Sequence, residues 1–306
     1  MNTSEAPQKH HGATRRDFLK TSAVAATAAV SSASFIARNA YAAGGDTIRV
    51  GMIGCGGRNT GAASEALTAD PGARLVAMCD ILMDRVKDKR EKLKEQKKDQ
   101  VIVDDDHCFA GFDGYKHVIE ASDVVLIANA AKFHPFHAMC ALQAGKHVFV
   151  EKPHGTDPAG IKLLKKAAAL AKEKKLSLVS GLQSRYHTGY IETIQRIYDG
   201  AIGDVVAIEE NFLRAPYVVI DRQAGLSELE WQCSTQYHFR WLSGDDVPQS
   251  LVHNLDRASW VLHDAAPLKC HGLGGRSSMT ESIYGDVFDH HSVVYDFPNG
   301  VKVYAF

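Results

Sequence analysis

The sequence lacks an excess of charge of either sign, and its main body lacks a long apolar run. Its 35 Lys and Arg residues nearly balance 36 Asp and Glu residues, which leaves a formal net charge of −1. Such a chain gains little from binding polyanions, so we expect neither nucleic acid nor an anionic membrane surface as a partner. After residue 42, no stretch approaches the roughly 20 apolar residues of a transmembrane helix, so we expect no stable membrane insertion.

The cysteines lack the spacing of a metal site or of a disulfide framework. None of them belongs to a C-x-x-C pair, which is the arrangement typical of zinc sites and redox motifs. They are also scattered along the chain instead of being concentrated in a short segment. We therefore predict no metal site and no disulfide framework from the six cysteines, which are Cys55, Cys79, Cys108, Cys140, Cys233 and Cys270.

The first 42 residues have the pattern of a targeting peptide. Arg15, Arg16 and Lys20 form a basic region in "TRRDFLK", and a weakly apolar run of Ala, Ser, Thr and Val follows. The small residues of "AYA" at positions 40–42 predict cleavage after them. The arginine pair favours a twin-arginine signal over an ordinary secretory signal or a disordered basic tail. We therefore predict a periplasmic or otherwise exported protein, with the twin-arginine export machinery as a partner.

After the leader, apolar strand-like runs alternate with helical segments. The runs "TIRVGMIG", "ARLVAMCD", "DVVLIANA", "KHVFVEKP" and "LSLVSGLQ" are typical of a parallel sheet that helices cover on both faces. An amphipathic helix, "AGIKLLKKAAALAKEKK", separates the last two runs. We predict an α/β fold with an N-terminal Rossmann domain, a doubly wound parallel sheet over residues 43–155 that residues 156–183 complete.

From residue 184 the pattern changes to that of an α+β domain. "VVAIEENF" alternates as a strand, "PQSLVHNLDRASWVLHD" predicts a helix, and "HSVVYDFPNGVKVYAF" has the alternation and central turn of a hairpin. We therefore predict a mostly antiparallel sheet over residues 184–306. Because the chain stops at Phe306 inside a predicted strand, we expect this domain to be truncated. We expect a homo-oligomer where the sheet is complete.

A glycine-rich turn follows the first predicted strand and precedes a helix. Gly54 allows a tight turn, and Gly56 allows the backbone to approach a pyrophosphate at the helix N-terminus. Asn59 replaces the third glycine of the G-x-G-x-x-G pattern. By itself, the turn is as consistent with a flexible loop as with a dinucleotide site.

The second predicted strand ends in Asp80, where dinucleotide-binding folds place an acid against the ribose hydroxyls. An aspartate at this place is also a common helix N-cap. Strand, glycine turn, helix, strand and acid in this register together favour a dinucleotide site. Because a carboxylate repels a 2′-phosphate, we predict NAD in preference to NADP, a preference that the nearby Arg85 moderates.

Another predicted strand ends in Glu151-Lys152-Pro153. The carboxyl ends of parallel strands face the crevice in which ligands bind. Pro153 restricts the backbone of Lys152 and permits a cis peptide bond. From spacing alone, however, a solvated surface lysine is the commoner case.

The combination of "GMIGCGGRNTG", "AMCD", "AGKHVFVEKP", "SGLQSRYH" and "SLVHNLDRASWVL" resembles the glucose–fructose oxidoreductase/inositol dehydrogenase/MocA (Gfo/Idh/MocA) family from about Thr47 onward. It resembles the twin-arginine-exported branch most closely. The resemblance implies that Lys152 lies between nicotinamide and substrate and that His253 is the base. A histidine suits proton removal near neutral pH, and a lysine ammonium stabilises a developing alkoxide. Without the accompanying motifs, His253 would be interpreted as a hydrogen-bonded core residue.

The chain departs from the family's Asp-x-x-x-His pattern at Gln249, which can bond a sugar hydroxyl but cannot take up a proton. Asp256 is placed either to orient His253 or to lie on the helix surface. Trp231, Tyr237 and His238 are consistent with sugar contacts or with domain packing. The predicted dinucleotide contacts are Gly54, Gly56, Gly57, Arg58, Asn59, Asp80, Asn129, Glu151 and Lys152. The predicted substrate contacts are Arg185, Tyr186, Gln249, His253 and Asp256.

These motifs predict an NAD(P)-dependent oxidoreductase that acts on a sugar or a sugar-derived polyol by hydride transfer. Because a twin-arginine signal exports folded protein, we expect a tightly bound dinucleotide that is captured before export and recycled internally. An NAD-dependent glycosidase that works by oxidation, elimination and reduction is an alternative. A non-catalytic protein that binds dinucleotide and sugar is a second alternative.

Overall fold

The computed structural model describes residues 47–306, so the predicted leader lies outside the described residues. The first sheet has six parallel strands in the order β3-β2-β1-β4-β5-β6. This is the strand order of a dinucleotide-binding Rossmann fold, and it confirms the predicted doubly wound sheet. The strands are β1 Ile48–Ile53, β2 Ala73–Asp80, β3 Cys108–Ala110, β4 Val124–Ile127, β5 His147–Val150 and β6 Leu178–Ser180.

Helices cover both faces of this sheet and bury its apolar side chains. One core cluster joins the sheet to Leu67 and Leu93. A second cluster joins it to Ile119, Leu142 and Ala167. The helices are α1 Gly57–Ala69, α2 Met83–Lys97, α3 Gly114–Ala121, α4 His134–Gln143 and α5 Pro158–Lys174. Because all strands are parallel, their carboxyl ends share one edge, where Gly54, Asp80 and Glu151 are found.

The second sheet has four strands in the order β7-β10-β9-β8. β9 pairs antiparallel with β8 and β10, and β10 pairs parallel with β7, so the predicted mostly antiparallel sheet is confirmed. Asn299 and Gly300 take positive φ angles in the β9–β10 turn, as the "FPNG" signal predicts. The strands are β7 Ala207–Glu210, β8 Lys269–Gly275, β9 His290–Asp296 and β10 Lys302–Ala305.

The helices of the second half precede or flank this sheet. They are α6 Thr188–Tyr198, α7 Glu228–Ser234, α8 Arg240–Ser243 and α9 Val252–Val261. Short 3₁₀ turns lie at Lys98–Gln100, Asp105–His107, Ala131–Phe133, Gln183–Tyr186, Gln236–His238, Ser282–Tyr284 and Pro298–Gly300. Within residues 47–306, no helix combines the length and the apolar character needed to cross a membrane. Ile48–Phe306 form one compact unit of contacts.

The structure contains elements that the sequence interpretation did not predict, including α6, α7 and α8 in the second half, and it modifies one predicted helix. β3 and α3 have no counterpart in the predicted element order; β3 is three residues long, too short to show a strand period. The predicted helix "PQSLVHNLDRASWVLHD" begins with a π-helical turn, Val247–Leu251, before α9 continues it. This turn carries Gln249 and leads directly into the helix that carries His253.

Candidate active site

The glycine turn combines one crowded position with two open ones. Gly54 has a φ of +91°, and a Cβ added there would lie 2.6 Å from the Cα of Asn129. Only glycine fits both the left-handed backbone and this close approach. A Cβ added at Gly56 or at Gly57 would meet no atom within 4 Å. The turn therefore packs tightly on one side and leaves its other side open to a ligand.

The side chain of Asn59 holds the glycine turn in place from inside the protein. Its side chain is fully buried, and its Nδ2 donates to the main-chain oxygens of Ile53 and Gly54, each at 2.9 Å, and of Leu126 at 3.2 Å. These bonds tie the turn to β1 and β4. Asn59, at the third motif position, thus has a structural role. Although it was predicted as a dinucleotide contact, its side chain does not line the cavity beside the turn.

A cavity of about 620 Å³ opens beside the turn. This volume lies within the range of about 300–1,000 Å³ that is usual for small-molecule and cofactor sites. Ile220 and the segment 233–238 of the second half also line it. Among the predicted dinucleotide contacts, those that line the cavity are Gly54, Gly56, Gly57, Arg58, Asp80 and Asn129.

Asp80 lies at the cavity end of β2. Its Oδ2 accepts a hydrogen bond from the main-chain N–H of Cys55 at 2.7 Å, and its Oδ1 lies 3.8 Å from Nη1 of Arg85. The N-cap of α2 is Leu82, so Asp80 does not take the alternative role of a helix cap. A carboxylate and a guanidinium therefore stand together at this edge of the cavity.

Lys152 follows β5, and its ammonium is drawn into the protein. The Lys152–Pro153 peptide bond is cis. Lys152 Nζ donates to the main-chain oxygen of Gln249 at 2.6 Å. Burial lowers the pKa of Lys152, while the charge of Glu151 opposes that shift. Lys152 is therefore not a solvated surface lysine. Its side chain extends from the edge of the parallel sheet, and its ammonium contacts the second half of the chain at Gln249.

Glu151 is buried next to Lys152 and holds Arg58. Arg58 Nε donates to Glu151 Oε1 at 2.7 Å, and the main-chain N–H of Lys152 donates to Oε2 at 3.2 Å. Gly181 leaves room for the carboxylate, because a Cβ there would lie 2.6 Å from Glu151 Cδ. Glu151 and Lys152 do not line the cavity, whereas Arg58 does. The ion pair between Arg58 and Glu151 thus connects the glycine turn to the segment that carries Lys152.

His253 lies on α9 with a half-buried ring. The ring is roughly parallel to that of Phe212, with centroids 6.5 Å apart. Its Nδ1 is buried and has no hydrogen-bond partner among residues 47–306. Burial lowers the pKa of His253, and the positive charges of Lys152 and Arg257 lower it further. The imidazole is therefore predominantly neutral at pH 7, the form that can accept a proton.

Gln249 contacts Lys152 through its main chain rather than its side chain. The side-chain Nε2 donates to the main-chain oxygen of Ser243 at 3.3 Å, and the residue is almost fully buried. Gln249 occupies the aspartate position of the Asp-x-x-x-His pattern. It thus presents a main-chain carbonyl oxygen, and no carboxylate, to the ammonium of Lys152. His253, one helical turn further on, receives no hydrogen bond from the Gln249 side chain.

Arg185 and Asp256 form an ion pair that fixes α9. Arg185 Nε donates to Asp256 Oδ1 at 2.9 Å, and Arg185 Nη2 donates to Asp264 Oδ1 at 2.6 Å. The other oxygen of Asp256, Oδ2, is buried and has no hydrogen-bond partner in the part of the chain that the structure describes. Tyr186 is exposed. The structure therefore joins Arg185 to Asp256 and leaves Tyr186 in solvent.

One cluster next to Lys152 was absent from the sequence interpretation. Arg214 pairs with Asp246, donates to Ser250 Oγ at 3.0 Å and lies 3.6 Å above the ring of Tyr217. Tyr217 in turn stacks on Tyr237 with ring centroids 4.1 Å apart. The charge of Arg214 contributes to the lowered pKa of Lys152. Residues 211–222 have no helix or strand, so no periodic pattern signalled this cluster.

Comparisons with known proteins identify relatives over part of the chain. Residues 48–180 match the Gfo/Idh/MocA family, described as "Oxidoreductase family, NAD-binding Rossmann fold". Over 221 residues the chain is 28% identical to inositol 2-dehydrogenase/D-chiro-inositol 3-dehydrogenase of Halalkalibacterium halodurans, covering 71% of this chain and 53% of that protein. Over 179 residues it is 30% identical to dTDP-3,4-didehydro-2,6-dideoxy-alpha-D-glucose 3-reductase of Actinomadura kijaniata, covering 57% and 48%. The chain spans about half the length of these two curated relatives.

A solved structure extends the likeness in fold beyond the first sheet. The crystal structure of myo-inositol 2-dehydrogenase from Lactobacillus plantarum superposes with a TM-score of 0.64 at 20% identity, over 85% of this chain and 69% of that chain. The family match covers all six strands of the parallel sheet and the glycine turn. Residues 48–180, the parallel-sheet part of this chain, are therefore similar to the NAD-binding Rossmann fold of the Gfo/Idh/MocA oxidoreductase family.

Proposed function

We propose that this protein is an NAD(P)-dependent oxidoreductase that moves a hydride between the nicotinamide and a CH–OH carbon of a sugar or polyol. The observation that carries the proposal is the proximity of a partly buried ammonium, Lys152, to a predominantly neutral histidine, His253, whose Nδ1 has no hydrogen-bond partner among residues 47–306. The two curated relatives are named for an inositol dehydrogenase and a sugar ketoreductase, which supports this substrate class.

The residues around the cavity fit a dinucleotide. The open side of the turn at Gly56 and Gly57 leaves room for a pyrophosphate, and the N-terminus of α1 offers unpaired N–H groups to it. Asp80 stands where ribose hydroxyls would donate to a carboxylate. When bound, the nicotinamide supplies the hydride acceptor or donor.

The protein's own groups handle the substrate proton and charge. In the oxidation direction, a ring nitrogen of His253 takes the hydroxyl proton. The ammonium of Lys152 stabilises the negative charge that develops on the same oxygen. Arg214 and Gln249 hold and tune this ammonium from the second half of the chain. In the reduction direction the histidine returns the proton to the carbonyl oxygen.

Cofactor choice should depend on Asp80. Replacing Asp80 with Ser removes a carboxylate that repels a 2′-phosphate and that binds ribose hydroxyls. We expect the ratio of the NADP and NAD dissociation constants to shift toward NADP by about tenfold to a hundredfold. The measurement is titration of both dinucleotides, with Asp84→Ser as a control because Asp84 is an exposed acid in the first turn of α2. An unchanged ratio in Asp80→Ser would remove Asp80 from the cofactor site.

The pH dependence should report His253. We expect kcat/KM for oxidation to be flat above the pKa of His253 and to fall about tenfold per pH unit below it, because a protonated ring accepts no proton. Since burial, Lys152 and Arg257 lower this pKa from 6.5, the fall should begin below pH 6.5. Arg257→Gln removes one of the cations and should move the fall to higher pH. A profile that is identical in both proteins would argue against His253 as the base.

Tight cofactor retention and export form the finer part of the proposal. We propose that the first 42 residues direct twin-arginine export to the periplasm and that the dinucleotide travels with the folded protein and is recycled in place. Mass spectrometry of the full chain under non-denaturing conditions would report retained dinucleotide, cleavage of the leader and the number of subunits. We expect the mass of a protein with one dinucleotide per subunit. Protein that is purified without any dinucleotide and keeps none after reconstitution would contradict this proposal.

A panel of sugars and polyols tests the reaction class. An oxidoreductase develops reduced-nicotinamide absorbance when its substrate is added. Cleavage of aryl glycosides without net reduction of the cofactor would instead indicate a glycosidase that oxidises, eliminates and reduces. Thermal stabilisation by a sugar, with neither reaction, would indicate a binding protein. The first outcome supports the proposal, and the other two replace it.

A further inference from the structure

One buried histidine lies between two segments that meet at the proposed site. His134 is the first residue of α4, and only 2% of its surface is exposed. Its Nδ1 lies 2.8 Å from the main-chain oxygen of Pro153, and its Nε2 lies 3.0 Å from the main-chain oxygen of Asn129. The ring therefore contacts both the segment that follows β5 and the segment that follows β4.

Asn129 is the cavity end of this contact. It lines the cavity, and its main chain packs against Gly54 of the glycine turn. His137, one turn after His134 on α4, lies with its Nδ1 3.2 Å from Asn129 Nδ2. Gln236 of the second half donates from its Nε2 to the main-chain oxygen of Asn129 at a long 3.5 Å. The position of Asn129 thus does not depend on His134 alone.

Pro153 is the lysine end of this contact, because it follows Lys152 directly in sequence. On the N-terminal side, the main-chain N–H of Lys152 donates to Glu151 Oε2 at 3.2 Å. On the C-terminal side, the oxygen of Pro153 meets the ring of His134 at 2.8 Å. Proline has no N–H, so this oxygen is the main-chain group through which a hydrogen bond can hold it. These contacts fix the backbone from which the ammonium reaches Gln249.

The ring of His134 meets two oxygens that both require a donor. Both are carbonyl oxygens, which only accept, so a neutral imidazole donates to one of them. Burial lowers the pKa of His134, and the charge of Lys152 lowers it further, although the hydrogen bonds to the main chain oppose the shift. The ring is therefore predominantly neutral at pH 7. The shorter contact assigns the proton to Nδ1, so the ring donates to Pro153 and adds no second cation beside Lys152.

We infer that His134 is a positioning residue that fixes the ammonium of Lys152 by donating to the oxygen of Pro153, an inference that rests on the proposed function. His134 does not line the cavity, so its effect on the reaction passes through Pro153 to Lys152. A group that is displaced by about 1 Å through a change far from the chemistry can cost about a hundredfold in rate. The bond should therefore affect turnover more than binding.

Two amide variants separate the two ring nitrogens. The amide nitrogen of Asn lies as many bonds from the backbone as Nδ1, and that of Gln lies as many as Nε2. His134→Asn should therefore keep the donor to Pro153, whereas His134→Gln should lose it and donate toward Asn129. We expect His134→Gln to make Lys152 react about threefold to tenfold faster with acetic anhydride, because its ammonium leaves the Gln249 oxygen more often. In His134→Asn this rate should stay within about twofold of the parent rate.

Competitive labelling of the full chain, quantified by mass spectrometry of its peptides, measures each lysine separately and needs no substrate. Lys146 is the internal reference, because its ammonium also donates to a main-chain oxygen and should react equally in all variants. The dissociation constant of NAD should stay within about threefold in both variants. With a polyol of the panel that the parent protein turns over, kcat should fall about tenfold to a hundredfold in His134→Gln, with little change in KM.

Gln100→Met is the matched control for a loss of stability alone. Gln100 Nε2 donates to the main-chain oxygens of Leu67 at 2.7 Å and of Ala73 at 3.2 Å, at the end of the sheet where β2 begins. The variant thus removes bonds from a side chain to the main chain away from the carboxyl ends of the strands. We expect it to lower the melting temperature and to leave the labelling of Lys152 and kcat unchanged.

The labelling also shows which conclusion fails. Equal labelling of Lys152 in the two His134 variants, parallel rises at Lys146 and Lys152, or the same rise in Gln100→Met would overturn the positioning role. Failure of the parent protein to bind either NAD or NADP would instead overturn the proposed function itself.

Discussion

Replacing Lys152 with Met should lower turnover by about a hundredfold to a thousandfold, the usual effect of removing one group that stabilises a developing oxyanion. Methionine is unbranched and only one atom shorter than lysine, and it removes the charge and the donor to the main-chain oxygen of Gln249. We expect dinucleotide affinity to stay within about threefold, because Lys152 does not line the cavity beside the glycine turn. The substrate KM should change less than kcat, because the charge on the oxygen develops mainly in the transition state.

Lys146 offers a matched control for this experiment. It lies at the opposite end of β5, and its Nζ donates to the main-chain oxygen of Ser122 at 2.6 Å, the same kind of bond as that of Lys152. Lys146→Met should therefore cost similar stability and leave kcat unchanged. Single-turnover reduction of bound cofactor and thermal denaturation measure the two effects separately. Equal losses of kcat in both variants, or a Lys152→Met protein with nearly full turnover, would refute the role of Lys152.

The parallel sheet was largely predictable because its signals are local. β2 coincides with the run "ARLVAMCD" and ends in Asp80, and the glycine turn follows β1 directly in sequence. β3 was not predicted because three residues are too few to show a strand pattern. It forms a strand only through its pairing with β2, in which Cys108 is the partner of Met78. The second sheet was predictable where a turn joins adjacent strands, as in the β9–β10 hairpin.

The long-range contacts of the candidate site were not predictable from spacing. The bond from Lys152 to the main chain of Gln249 spans 97 residues, and that from Arg58 to Glu151 spans 93 residues. The π-helical turn that presents the Gln249 oxygen has no distinctive local sequence period. Lys152 and His253 were predicted as site residues because of a family resemblance. Arg214 was not predicted, because it lies in an irregular segment without a periodic pattern and belongs to none of the motifs that carry the resemblance.

Gly54→Ala is expected to remove dinucleotide binding, because the turn cannot accept a Cβ. The new atom would lie 2.6 Å from the Cα and 2.7 Å from the main-chain nitrogen of Asn129. These are backbone atoms, so the turn itself must shift. Left-handed backbone strain and overpacking together should lower the free energy of unfolding by about 2–4 kcal/mol. Displacement of the turn should weaken the dinucleotide by at least about a hundredfold, since pyrophosphate recognition needs close backbone approach.

Gly145→Ala separates these two causes. Gly145 also has a positive φ, +77°, but a Cβ there would meet no atom within 4 Å, and the residue lies away from the cavity wall. It should lower the free energy of unfolding by about 1 kcal/mol through backbone strain alone and leave dinucleotide affinity unchanged. Chemical denaturation and dinucleotide titration of the folded fraction measure both quantities. If the Gly54 variant were folded and bound dinucleotide as well as the Gly145 variant, the glycine turn would have to be excluded as the pyrophosphate site. The steric contact with Asn129 is thus the difference between the two variants, and binding should follow that contact rather than the sign of φ.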